Sequence, residues 1–202
     1  MIFHYKYHYI KWDYGNKMNL FELFEDVVLY HGGKDLEYSY YNMVPSKSGR
    51  WEHGPGLYLT NSISLAKKYA GGSRKTYKVV ISSGTDIKNV KCKKSEMIDF
   101  INQYVIKEKR KQLIDFITSR YDADLIPINV LLNLCINDSA LTTKNTLNLR
   151  KFLVDHGVDY EIEHSSAYDA DIIVIYNPKI IKKVQVIKNS QEVTPITDIS
   201  EL

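Results

Sequence analysis

The sequence predicts an α+β domain, with short strands at both ends of the chain and a block of helices between them. Three observations carry this reading. Apolar residues alternate with period two in runs before Ser82 and again after Val158, they recur at helical spacing between Ser95 and His156, and the chain has no internal repeat. A length of 202 residues suits one domain. Hydrophobic residues at 44% and charged residues at 25% match globular averages, while 10 Gly and 5 Pro are few, which excludes disordered and low-complexity classes.

Phe3, Tyr5, Tyr7 and Tyr9 alternate with His4, Lys6, His8 and Ile10, the pattern of a strand with one aromatic face. With a short helix over Asn19 to Asp26 this makes an N-terminal arm, residues 1–26. Residues 27–94 read as the first half of a core. It holds a buried strand from Val27 to Tyr30 that stops at His31-Gly32-Gly33, a tyrosine-rich loop up to Gly54-Pro55-Gly56, and a strand from Leu57 to Thr60. A helix from Ser62 to Ala70 follows, with Asn61 or Ser62 as its cap and Gly71-Gly72 as its end, then a strand from Thr76 to Ser82. Residues 95–156 form a helical insertion. Met97, Ile98, Ile101, Tyr104 and Val105 keep helical spacing that continues through Leu113, Ile114 and Ile117 toward Arg120. Further helices lie near Ile128 to Asn137 and from Asn145 to His156, the last ended by Gly157 in the left-handed cap position. Residues 157–189 carry the closing strands, Val158 to Glu163, Asp171 to Tyr176 and Ile181 to Lys188, with Asn177-Pro178 as a turn. The tail, 190–202, reads as frayed.

Several function classes are disfavoured at once. Cys92 and Cys135 stand alone without metal-ligand or redox spacing, so metal, disulfide and thiol chemistry are not expected. The opening MIFHYKYHYIKW is broken by His and Lys where a signal peptide needs an apolar core, and no run approaches a membrane span, which predicts a cytoplasmic protein with no membrane contact. A net charge of +3 is too small to predict a nucleic-acid partner by itself.

Polar and aromatic residues gather where strands stop. The segments are Leu29-Tyr30-His31-Gly32-Gly33, GPGLYLTNSISLAKKYA with Tyr58 and Tyr69 eleven residues apart, and Tyr168-Asp169-Ala170-Asp171 leading the apolar run Ile172 to Tyr176. Each alone reads equally well as turn chemistry or core. In this order and spacing they resemble the ADP-ribosyltransferase family, in its diphtheria-toxin and PARP-like branch with a His-Tyr-Glu triad, and bacterial or phage toxin-type members above all. The resemblance covers residues 27–82 and 152–187 and leaves out the arm and the helical insertion.

The resemblance implies a split antiparallel sheet as the core and a transferase with NAD as co-substrate and no metal. It assigns catalysis to His31, Tyr58 and Asp171, and NAD binding to His31, Gly32, Tyr58, Thr60, Ser64 and Tyr69. His31 would bond the adenosine-side ribose and the Gly32 backbone the nicotinamide carboxamide. Tyr58 and Tyr69 would sandwich the nicotinamide ring, and Asp171 would hold the second ribose and stabilise its developing positive charge. The family's acid is usually Glu, so Asp171 implies transfer of a single ADP-ribose, and it leaves Asp169, Glu163 and Glu161 as alternative acids. Ala66 stands where the family often has Ser, with Ser62 or Ser64 as substitutes.

The acceptor is a macromolecule, nucleic acid slightly ahead of protein, and an antitoxin or chaperone partner is compatible with the toxin-type resemblance. Basic clusters at Lys88, Lys91, Lys93, Lys94 and at Lys107, Lys109, Arg110, Lys111, with the Tyr, His and Lys of the arm, motivate that order. Two other readings stay open: a binding module without turnover for NAD, ADP-ribose or nucleic acid, and an RNA 2'-phosphotransferase.

Overall fold

A computed structural model describes residues 26–33, 36, 53–71, 75–187 and 193–196. The predicted arm strand, the short helix before Asp26 and the tyrosine-rich loop lie outside the described residues, apart from Asp26, His53 and Leu36 at their margins. In chain order the elements are β1 (Asp26–Gly33), β2 (Leu57–Thr60), α1 (Ile63–Ala70), β3 (Lys75–Ser82), β4 (Lys91–Lys93), α2 (Lys94–Tyr104), α3 (Lys107–Arg120), β5 (Leu125–Pro127), α4 (Asn129–Asn137), α5 (Thr143–Asp155), β6 (Tyr160–Ser165), β7 (Ala170–Ile175), β8 (Ile181–Ile187) and β9 (Val193–Ile196). The fold is α+β. One antiparallel sheet runs β6-β7-β2-β1-β3-β8, with β9 added at the β8 edge, and β4 pairs β5 in a separate ribbon.

Register places the site residues. Tyr30 is opposite Thr60, and Thr60 is opposite Ile172, so these three share one face of the sheet and their neighbours share the other. Leu29, Leu59 and Ile173 on the second face belong to one apolar cluster with Val27, Tyr77 and Val79. Val174 and Tyr176 on the first face belong to another, built with Met97, Ile101, Leu113, Ile117, Leu131 and Leu149 of the helices. β7 is therefore buried on both faces, which is why it reads as an unbroken apolar run rather than an alternating one. β1 pairs with β3 along its whole length but with β2 at Tyr30 alone, so the sheet opens between β1 and β2 beyond that pair.

Helix α1 lies on the first face. Ser62 caps it by accepting the Leu65 N–H at 3.3 Å, and Leu65, Ala66 and Ala70 are its buried residues. Its approach to β1 is close: a Cβ built on Gly32 would stand 1.8 Å from the Ala66 carbonyl oxygen and 2.8 Å from the Ala70 nitrogen.

The predicted helix from Ser95 to Arg120 is two helices. Val105 and Ile106 take extended backbone, with ψ of 145° and 139°. Tertiary bonds hold the break: the Ile106 N–H donates to the Ala140 carbonyl at 3.0 Å, Asn145 Nδ2 to the Tyr104 carbonyl at 2.6 Å and Arg110 Nε to the Val105 carbonyl at 2.8 Å. Two β-branched residues in succession ease the departure from helix. The remaining differences are small. β6 begins at Tyr160 because Val158 is buried under the helices and Asp159 caps a turn, accepting the Thr85 N–H at 2.8 Å and Asn177 Nδ2 at 2.7 Å. The tail expected to fray contributes β9, whose Val193 to Ile196 pair with Ile187 to Val184.

Gly32→Ala should force α1 away from β1, because the obstacle is backbone rather than a mobile side chain. We expect a loss of at least roughly 2 kcal/mol of stability. Gly157→Ala, at φ 83° with open space around its Cβ, should cost about 1 kcal/mol. Denaturant titration of both variants checks the order; equal losses would show that α1 can relax off the strand.

Candidate functional site

His31 lies one residue past the Tyr30–Thr60 pair, while β1 stays paired with β3 to Gly33, and its ring turns toward the opening between β1 and β2. Its Nδ1 lies 2.8 Å from the Tyr58 carbonyl oxygen, which can only accept, so Nδ1 carries the proton. Nε2 is then an acceptor, and it is buried with no hydrogen-bond partner among the described residues. Burial lowers the imidazole pKa below its ordinary value, the bond to Tyr58 opposing only in part, so the ring is held neutral. Tyr77, its partner across the β1–β3 ladder, flanks it at 6.0 Å between ring centres and accepts the Leu36 N–H through its hydroxyl at 3.3 Å. A Cβ on Gly33 would meet His31 Nε2 at 2.4 Å, so the second glycine is what lets the ring lie there.

Asp171 opens β7 on the same face as His31. Asn61 binds it twice, donating Nδ2–H to Asp171 Oδ2 at 2.9 Å and accepting the Asp171 N–H through Oδ1 at 3.0 Å. His164, opposite Asp171 on β6, places Nδ1 3.0 Å from Asp171 Oδ1. Both carboxylate oxygens are thus held, and the side chain keeps 22% exposure toward solvent. From strand spacing, His31 and Asp171 are roughly 12 Å apart at Cα, too far for a dyad and suited to touching two parts of one extended ligand.

The alternative acids sit elsewhere. Glu161 and Glu163 are opposite Val174 and Ile172, on the helical face. Asp169 is fully exposed in the β6–β7 turn with φ 45°. Glu161 belongs to a buried network: Tyr176 Oη lies 2.7 Å from the His53 carbonyl oxygen and 2.9 Å from Glu161 Oε2. A hydroxyl has one proton and the carbonyl can only accept, so the arrangement is satisfied when Tyr176 donates to His53 and a protonated Glu161 donates to Tyr176. Burial raises the Glu161 pKa in agreement, with the Tyr176 bond opposing, and raises that of Tyr176 well above the ordinary phenol. Glu163 instead pairs with His53 Nδ1 at 2.7 Å.

The two tyrosines expected to face each other have different ring neighbours. Tyr58 packs toward the helical cluster, with its ring 6.2 Å from His53, and its hydroxyl accepts the His53 N–H at 3.0 Å and donates to the Gly54 carbonyl at 2.9 Å. Tyr69, 52% exposed, meets Tyr168 edge-on at 6.3 Å, and the Lys68 ammonium sits 4.8 Å from the Tyr168 ring centre. Thr60 is buried and accepts the Ser62 N–H through Oγ1 at 3.2 Å; Ser64 is exposed and shares a hydrogen bond with Ser62 at 2.8 Å. Gly32 has its Cβ side filled by α1, so helix packing explains the glycine without a ligand.

The sequence reasoning missed His164 and Asn61. The signal available was the hairpin itself: β6 and β7 with a four-residue turn place His164 opposite Asp171 once Tyr160, Ile162, Ile173 and Ile175 are set on one face. Of the first basic cluster, Lys88 and Lys94 bond the carbonyls of Ile162 and Tyr121, leaving Lys91 and Lys93 exposed on β4. The thiols of Cys92 and Cys135 are buried and pushed up to about 12, so both stay protonated. Among the described residues, no group of His, Cys, Asp and Glu is placed to hold a metal, and no helix is long and apolar enough to cross a membrane. A concavity of about 300 Å³ between α3 and α4, lined by Leu113, Phe116, Leu134, Asp115 and Asp138, includes no residue of the sheet.

The chain matches no protein-family model, no curated protein and no solved structure.

Because Glu161 is favoured in its neutral form, the folded chain holds a proton that the unfolded chain has lost above the ordinary carboxyl value of 4.5. The stabilisation is fully present below that value and is lost as pH rises through the elevated one. Glu161→Gln, whose amide donates to Tyr176 as the protonated acid does, should flatten the fall in melting temperature across the range above the ordinary carboxyl value of 4.5. Thermal scans across that range decide it; equal slopes for both proteins would mean that Glu161 is ionised in the fold.

Proposed function

We propose that the protein is an NAD-dependent mono-ADP-ribosyltransferase acting on a macromolecule. The observation that supports this best is a neutral, buried imidazole whose Nε2 has no hydrogen-bond partner among the described residues, on the same sheet face as a carboxylate whose two oxygens are both held. A ligand hydroxyl donating to Nε2 would satisfy that acceptor. The order and spacing of His31-Gly32, Tyr58, Tyr69 and Asp171 add the family resemblance, and the opening of the sheet between β1 and β2 fits the split core which that resemblance implies.

In this reading NAD lies along the opening, with its adenosine-side ribose donating to His31 Nε2 and its nicotinamide ribose at Asp171. The bond from ribose C1' to the nicotinamide nitrogen breaks, and its electron pair stays with the ring and neutralises the pyridinium. A lone pair of the acceptor then forms the new bond to C1', and the acceptor's proton leaves to solvent or to the Asp171 carboxylate. Asp171 stabilises the cationic ribose between the two events, an effect worth roughly 10²- to 10³-fold for a preorganised group. Tyr69 offers an exposed ring for the nicotinamide, while Tyr58 holds the 53–56 turn through its hydroxyl.

Incubation with labelled NAD and cell extract tests the reading. The full chain should release nicotinamide and leave label on a macromolecule, and Asp171→Ala should reduce both by about 100-fold. Tyr69→Ala should weaken NAD binding by about 2- to 10-fold, the range expected for one lost aromatic stack. Separate nuclease and protease digestion of the product assigns the acceptor. Absence of nicotinamide release with any extract, together with no measurable NAD binding, would overturn the proposal.

A further inference from the structure

We propose that His164 is the positioning residue of Asp171, setting the direction of its carboxylate. The inference rests on the reading of Asp171 as the transferase acid and goes beyond it to a residue outside the motifs that suggested that reading.

Three elements converge on one carboxylate. Asn61, between β2 and α1, takes Oδ2, and the edge strand β6 brings His164 Nδ1 to Oδ1. A carboxylate oxygen only accepts, so His164 Nδ1 carries a proton in every charge state. The opposite nitrogen, Nε2, faces Asp169 Oδ1 at 3.8 Å from the turn that joins β6 to β7. The charged groups facing the ring are thus Asp171 from β7 and Asp169 from the turn. The amide of Asn61 adds no charge, and Lys68 of α1 is engaged at the Tyr168 ring in the same turn. His164 is about half exposed.

With its proton on Nδ1 the ring fixes one oxygen of Asp171, and the Asn61 amide fixes the other. The consequence is a transfer rate that depends on His164 through kcat, while NAD affinity, set largely by His31 and the aromatic rings, changes little.

Three variants of the full chain separate this from a structural role: His164→Ala, His164→Asn and Asp171→Ala, assayed for nicotinamide release across pH. His164→Ala should lower kcat at least 10-fold with KM for NAD within about twofold. His164→Asn, whose side-chain amide can replace the Nδ1–H donor, should recover most of kcat. An independent readout is the tautomer: nitrogen NMR should place the His164 proton on Nδ1 in the native chain, and that preference should be lost in Asp171→Ala. Nicotinamide release that fails in Asp171→Ala but is unchanged in His164→Ala, or a proton found on Nε2, overturns the role of His164 alone. No release from the native chain overturns the transferase reading and this inference with it, even if the tautomer is as expected.

Discussion

Burial of β7 on both faces governs where the polar groups of this fold can stand. Ile173 and Ile175 enter one apolar cluster while Val174 and Tyr176 enter the other. A slip of one residue would exchange the two sets and carry Asp171 to the helical face, so register here is held by two cores rather than one. Fully burying each Ile or Val is worth roughly 1.5 to 3 kcal/mol, and several such residues act together. β2, β6 and β7 are consequently locked as a unit. Asn61 just after β2 and His164 on β6 meet Asp171 because the apolar residues beside them have no second solution.

The two faces divide the ionisable groups by environment. On the helical face Glu161 is enclosed with Tyr176 and His53, burial favours its protonated form, and a proton closes the network. Asp171 stands near the start of β7 with solvent access and two donors. The same alternation that encloses Glu161 leaves Asp171 open to solvent. His31 follows the same logic with opposite sign. Burial holds it neutral, and the carbonyl of Tyr58 decides which nitrogen keeps the proton. The opening between β1 and β2 matters because the imidazole spans it, bonding Tyr58 where the regular strand pairing has ended.

What could be read from the residues follows from how local the determining forces are. Leu57–Thr60 and the helix capped by Ser62 were legible because period, cap and stop lie within a few residues of one another. The three-residue strands at Lys91 and Leu125 were not, since each is too short to show a period and exists only through its partner more than thirty residues away. The break at Val105–Ile106 was hidden because the hydrophobic spacing continues across it; the bonds from Ala140 and Asn145 that fix it come from another helix–loop segment. In the candidate site, His31 and Asp171 were legible by type and place at strand ends, whereas His164 lies in an exposed run of polar residues with no periodic signal. Its role appears only once β6 and β7 are paired.

The tyrosines show where motif spacing is weaker than register. The resemblance implies that Tyr58 and Tyr69, eleven residues apart, flank one ligand ring, and spacing along the chain does not by itself set the direction of a strand residue. Tyr58 is opposite Val174, and the pleat sends both side chains toward the helices. There the Tyr58 hydroxyl closes the 53–56 turn, whose glycines at 54 and 56 leave no room for larger residues against Leu132 and Val174. Tyr69, on the helix, meets its exposed neighbour Tyr168 from the β6–β7 turn. The turn that carries Asp169 toward His164 therefore also carries an aromatic ring to the end of α1. The neighbours of Asp171 and of the Tyr69 ring are thus supplied by the end of a single hairpin.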